Sequence, residues 1–147
     1  MTSVRALGGG DFDGWSLLWL AYLRFYRSET EVPSEVTADT FDRLVSGRDG
    51  LTGLVAVSEE GLLVGLAHAV FHPSTWSMGL YCYLEDLYVT PTERGTGAGA
   101  ALIRAVYEEA DRRGAARTYW ETQEFNSPAR SLYDKVARRT SFIIYER

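Results

Sequence analysis

The chain has 147 residues, 46% of them apolar and 13% aromatic, which suits one compact domain over residues 1–147 with a continuous core and leaves no room for a second. Its formal net charge is −5, with 7 Lys or Arg against 15 Asp or Glu through residue 110 and 8 against 5 thereafter, a balance that disfavours nonspecific nucleic-acid binding. Cys82 is the sole cysteine, which excludes an intrachain disulfide, and the apolar stretch 15–23 is too short to span a bilayer, so a cytoplasmic protein without a membrane segment is expected.

In chain order, Val4 to Leu7 reads as a short strand ended by Gly8-Gly9-Gly10. Asp11 or Asp13 can cap a helix from Gly14 to Arg27, in which Leu18, Tyr22 and Phe25 recur at helical spacing. A second helix follows through Thr40, Phe41, Leu44 and Val45, with Gly47 as its stop. Leu54–Ser58, the Glu59-Glu60-Gly61 turn and Leu62–His72 form a β-hairpin pattern, which Pro73-Ser74-Thr75 breaks. Leu80–Val89 is apolar and aromatic on both faces, as a central strand must be. The pattern then changes to a glycine turn, a helix from Gly97 to Arg113 stopped by Gly114, and a strand over Thr118–Thr122. Such a unit makes a right-handed parallel crossover. A helix from Pro128 to Val136 and a last strand over Phe142–Tyr145 complete the chain. The sum is an α/β (α+β) fold, a mixed and mostly antiparallel central sheet with one parallel β-α-β crossover and helices on both faces.

The turn Arg94-Gly95-Thr96-Gly97-Ala98-Gly99, between a strand and a helix start, gathers unpaired backbone N–H groups at the positive end of the helix dipole, a setting for phosphate. A tight connection needing positive φ is the plain alternative. A P-loop does not fit, because no Lys-Ser or Lys-Thr follows and Lys135 is the only lysine. A dinucleotide site has Glu121 near the place of a ribose-binding acid, but the glycines depart from G-x-G-x-x-G and the crossover comes late.

Arg94-x-x-Gly97-x-Gly99, preceded by Leu87-Tyr88-Val89 and followed by Leu102, resembles the acetyl-coenzyme A signature of the GNAT superfamily of N-acetyltransferases. Trp120-Glu121-Thr122, then Asn126, Ala129 and Leu132-Tyr133-Asp134-Lys135, resembles that family's second cofactor and catalytic segment. Tyr83 to Val89 is similar to the diamine (spermidine/spermine) acetyltransferases and to yeast members that acetylate histones, polyamines or D-amino acids. The resemblance implies acetyl-CoA as co-substrate, its pyrophosphate on the amides of Thr96, Gly97, Ala98, Gly99 and Ala100, its pantetheine arm on the backbone of Leu87, Tyr88 and Val89, and further cofactor contacts from Arg94, Gly95, Asn126 and Ala129. A backbone N–H near Val89 would stabilise the oxyanion formed when an amine attacks the thioester. It implies direct transfer to a primary amine of a small molecule, polyamine or amino-acid-like, or of a protein lysine, and a homodimer joined through the last strand. A coenzyme A-binding regulatory module without catalysis is the alternative from another class.

Tyr133 matches the family's general acid, with the diamine enzymes' seven-residue spacing from Asn126. Glu85 is the candidate base, acting directly or through an ordered water, since a carboxylate in an otherwise apolar strand is costly unless hydrogen-bonded or functional. Glu85 shares strand parity with Tyr83 and Leu87, and Asp86 faces the other way unless a bulge intervenes. Glu85, Asp86 and Tyr26 are the candidate acceptor contacts, whereas Arg27 stands where the diamine enzymes tend to carry an acid. His68 and His72, ~13 Å apart along a strand, cannot share one zinc ion and are expected to pack; no metal is expected. Cys82 reads as a small buried hydrophobe. Ser141 replaces the glycine that the family commonly shows after the tyrosine, which puts the geometry of that turn in question.

Overall fold

The computed structural model describes residues 2–147. Strands β1 (Ser3–Ala6), β2 (Leu51–Val57), β3 (Leu63–Ser74), β4 (Ser77–Val89) and β5 (Arg117–Tyr119) form one sheet in the order β1-β2-β3-β4-β5. Every neighbouring pair is antiparallel except β4 with β5, which is parallel. Helix α1 spans Phe12–Phe25, α2 Ser34–Ser46, α3 Ala98–Arg112 and α4 Ser127–Val136. None of the described helices is long and apolar enough to cross a membrane.

Alternation along the strands divides the core in two. On one face Trp15, Leu18, Trp19 and Leu23 of α1 and Leu44 of α2 pack on Val55, Leu66 and Tyr88. On the other Leu102, Ile103, Val106 and Ala110 of α3 pack on Ala56, Ala67, Ala69, Cys82 and Leu84, with Leu132, Tyr133 and Val136 of α4 at the edge. Each fully buried aliphatic side chain contributes about 1.5–3 kcal/mol by leaving water. Gly47 ends α2 at φ +77°, and Gly114 follows α3 at φ +67°.

The register of β3 against β4 contains the feature on which the site depends. Ala67 faces Leu87 and His68 faces Asp86, but Ala69 faces Leu84, so Glu85 is the extra residue of a β-bulge. The packing agrees: Leu84 and Leu87 both lie toward α3, while Tyr88 lies toward α1. The expected shared parity of Tyr83, Glu85 and Leu87 is therefore corrected, because the bulge switches the alternation between Leu84 and Asp86.

Other expectations are also corrected. Phe142–Tyr145 is not a strand: the sheet ends at β5, and those four side chains are 69% to 89% exposed. The run has strand composition but no strand partner among the described residues. The strand expected over Thr118–Thr122 is shorter, ending at Tyr119. Pro73 lies inside β3, at a register irregularity between His72 and Ser74, where its missing N–H breaks no ladder bond. Asp11 does not cap α1 through its side chain; its carboxylate accepts from Gly8 N at 2.7 Å and pairs with Arg5. Ser141 has no positive φ, so its turn requires no glycine.

Candidate active site

Strand β5 pairs with β4 only from Tyr81 to Tyr83, and β4 then continues to Val89 bonded to β3 alone. The two strands splay at Tyr83, leaving the outer backbone edge of Leu84 to Val89 without a strand partner. At the end of this gap the chain enters the glycine turn. Gly95 and Gly97 take φ +80° and +93°, which strongly favours glycine, and the N–H groups of Gly95, Gly97, Ala98, Gly99 and Ala100 have no backbone partner among the described residues. Thr96 differs, its N–H reaching Glu93 O at 3.4 Å and its Oγ1 donating to the same oxygen at 2.6 Å. Arg94 folds back, donating from Nε to Val89 O at 3.1 Å and laying its guanidinium near the rings of Tyr88 and Phe25. Gly99 has a packing role as well: a Cβ there would lie 3.2 Å from Leu132 Cδ2, so its absence lets α4 close on the start of α3. A nest of free amides beside an open strand edge fits a diphosphate joined to an amide-bearing arm.

Beyond the splay lies a cleft lined by Tyr22, Tyr26, Leu84, Glu85, Leu87, Trp120, Glu121 and Tyr133. These come from the end of α1, the bulge of β4, the segment after β5, and α4. Two residues 48 positions apart in sequence, Glu85 and Tyr133, thus share one cleft. Tyr133 packs edge-on against Trp120 at 5.4 Å, and burial, followed by its neighbour Tyr26, pushes its phenol up to about 12. Glu85 is raised above the ordinary carboxylate range, chiefly by desolvation and next by the charge of Asp86. The residue still opens to solvent, so water screens part of that effect. Tyr83 donates to Glu121 Oε1 at 3.2 Å, which orients a second carboxylate on the opposite wall.

The candidate residues do not all gather there. Asp86 stands behind the cleft wall, where burial first, and then the charge and hydrogen bonding of Asp86, raise the Tyr22 phenol. Arg27, at φ +55° just past α1, does not line the cleft. Asn126 and Ala129 meet each other: Asn126 Oδ1 caps α4 by accepting from Ala129 N at 3.4 Å. Sequence reasoning missed Tyr22 and Glu121 as cleft residues. Tyr22 was legible only as one member of an aromatic helical stripe, and Glu121 only as an acid after a strand.

His68 was expected to pack and does, 3% exposed, but within a polar chain: Trp15 Nε1 donates to its Nε2 at 3.0 Å, and its Nδ1 bonds Asp86 Oδ2 at 2.9 Å. Cys82 is fully buried in the core toward α3, and burial pushes its thiol up. Among the described residues no group of three or more His, Cys, Asp or Glu could hold a metal ion.

Residues 15–137 match the Acetyltransferase (GNAT) family. The chain is 37% identical over 145 residues to a D-amino-acid N-acetyltransferase of Saccharomyces cerevisiae, covering 98% of this chain and 89% of that protein. It is 38% identical over 76 residues to a thialysine N-epsilon-acetyltransferase of Mus musculus, covering 52% of this chain and 44% of that one. Among solved structures, an aminoglycoside N-acetyltransferase bound to a bisubstrate analogue containing CoA superposes with a TM-score of 0.85 at 18% identity, over 100% of this chain and 97% of the other, a likeness of fold. The matched family, the near full-length similarity to an N-acetyltransferase, and the amide nest beside a splayed strand agree, and the chain belongs to the GNAT family as an acetyl-CoA-dependent N-acetyltransferase.

Proposed function

We propose that the chain transfers acetyl to a primary amine of a small cationic molecule, polyamine or amino-acid-like, by direct attack, with Tyr133 as general acid and Glu85 as general base. The observation that carries this reading is the meeting of Glu85 and Tyr133 in one cleft at the mouth of the β4–β5 splay. Acetyl-CoA supplies the acetyl thioester. The amides of Gly95, Gly97, Ala98, Gly99 and Ala100 are available for its diphosphate, with Arg94, Thr96, Asn126 and Ala129 shaping the ground on either side. The outer edge of Leu87, Tyr88 and Val89 has no strand partner among the described residues, only Arg94 Nε reaching Val89 O, and would pair with its arm, with an N–H near Val89 serving the oxyanion.

Glu85, its carboxyl raised above the ordinary range by desolvation, takes the proton that an ammonium must lose before it becomes a nucleophile, directly or through one water. Tyr133 keeps its proton at neutral pH and donates it from Oη to the departing sulfur. Glu85 and Glu121 line the cleft, Asp86 stands behind its wall, and no Lys or Arg lines it among the described residues, which favours an acceptor with positive charge. Tyr22 and Tyr26 supply the apolar, phenol-edged wall for its carbon chain.

Thiol release from acetyl-CoA, measured across spermidine, thialysine, D-lysine and a lysine-containing peptide, tests the reading. Turnover with one of the three small amines and not with the peptide is expected. Turnover with the peptide alone moves the acceptor to protein lysine. A second copy of the chain is the partner in this reading, joined through the uncovered segment Phe142–Tyr145.

A further inference from the structure

The buried chain Trp15–His68–Asp86 lies outside the acid and base pair. An indole N–H can only donate, so Trp15 requires a lone pair on His68 Nε2. The imidazole proton must then sit on Nδ1, where it is donated to the Asp86 carboxylate at 2.9 Å. The arrangement joins α1, β3 and β4 across 53 residues of sequence between Trp15 and His68 and 18 between His68 and Asp86. Indole rings confine the imidazole, with Trp15 and Trp19 centroids 5.8 and 5.2 Å from it. Asp86 is the residue next to the Glu85 bulge, and it is fixed in register opposite His68.

We propose that His68 is a positioning residue for acetyl transfer: held as the Nδ1–H tautomer by Trp15, it anchors Asp86 so that the β4 bulge presents Glu85, and the carboxylate behind Tyr22, to the acceptor's ammonium group. The inference rests on the proposed cationic acceptor, toward which Asp86 adds its charge from behind the cleft wall. Asp86 is held on one oxygen, Oδ2, by a donor that cannot rotate away, because the ring is 3% exposed and packed on two indoles. Without His68 the carboxylate would retain Tyr22 as a partner but lose that fixed direction, and the bulge would lose its one side-chain hydrogen bond to β3 among the described residues. The bulge itself is a backbone feature and survives without the tether.

The test combines spectroscopy on the unaltered protein with steady-state kinetics, using whichever of spermidine, thialysine or D-lysine has the highest kcat/KM. Nitrogen-15 NMR of the wild-type imidazole is expected to show a protonated Nδ1 and an unprotonated Nε2; a proton on Nε2 overturns the proposal without any variant. His68→Leu is expected to raise the acceptor KM about tenfold while the acetyl-CoA KM stays within about twofold. His68→Asn, whose amide N–H can replace Nδ1–H, is expected to recover most of that loss. In an Asp86→Asn background, His68→Leu is expected to add nothing further. Multiplying effects, an Asn variant as impaired as the Leu variant, or equal rises in both KM values overturn the proposal. Should Asp86→Asn alone leave the acceptor KM unchanged, the acceptor reading of Asp86 fails. Should Asp86→Asn matter and His68→Leu not, only the positioning role fails.

Discussion

The proposed mechanism makes opposite demands on a proton at Tyr133 and Glu85, and the surroundings of each residue suit its proposed part. Burial against Trp120 keeps the phenol protonated, while desolvation and the neighbouring Asp86 raise the Glu85 carboxyl. The Tyr133 hydroxyl has no protein hydrogen-bond partner among the described residues, so Tyr133→Phe removes no native bond. Its kcat is expected to fall roughly 10²- to 10⁴-fold in a thiol-release assay, with the melting temperature unchanged. Wild-type turnover in that variant would discard the acid assignment. Glu85 must lose its proton to act, so kcat is expected to rise with pH along a limb that lies above the ordinary carboxylate range. Glu85→Gln is expected to lower kcat by at least about 10² and to abolish that limb, as a pH–rate profile at saturating substrates would show. A limb that persists in the variant belongs to another group. Both candidates were visible in the sequence at this scale, since a tyrosine in a motif and a carboxylate in an apolar strand stand out, and the structure brings the two into one cleft. What was hidden was Asp86's partner, because His68 lies on another strand and Trp15 on a helix.

At the scale of elements, the glycine turn and the β4 bulge do different work. The turn is a local device: φ +80° at Gly95 and +93° at Gly97 point the amides outward, and no Cβ contact in the protein itself opposes a larger residue at either position. Gly97→Val is expected to weaken coenzyme A binding at least tenfold by calorimetry, besides losing about 1–2 kcal/mol of stability to left-handed strain. Gly114→Val supplies the control, since it imposes similar strain at φ +67° beyond the far end of α3 and is expected to leave that affinity intact. Equal affinity losses in the two variants would assign the effect to strain alone. The bulge could not be read from Tyr83 to Val89, because every residue there suits a regular strand. Only the pairing with β3 reveals two residues of β4 set against one, and that pairing turns Asp86 toward α1. The helices were legible to within about two residues at most ends, because their apolar spacing and glycine stops are properties of contiguous sequence.

Across the whole molecule, the sheet is closed at neither edge. Beyond β5 the chain offers Phe142, Ile143, Ile144 and Tyr145 to solvent, a contiguous apolar run that a lone soluble molecule rarely exposes. Sedimentation velocity is expected to report a dimer at micromolar concentration, and replacing Ile143 and Ile144 by Asp is expected to yield a monomer with its secondary structure retained. A wild-type monomer at those concentrations would rule out the association.

What the sequence determined by itself was local: the helices, the hairpin, the parallel crossover, the glycine turn and the family's motif. Each depends on residues within a few positions of one another, where backbone sterics and periodicity decide the outcome. The tertiary structure alone decided the extra residue at Glu85, the cleft shared by Tyr22, Glu121 and Tyr133, the Trp15–His68–Asp86 chain and the unpaired state of Phe142–Tyr145. These depend on which strand edge meets which, and a strand's composition records its wish to pair without naming its partner.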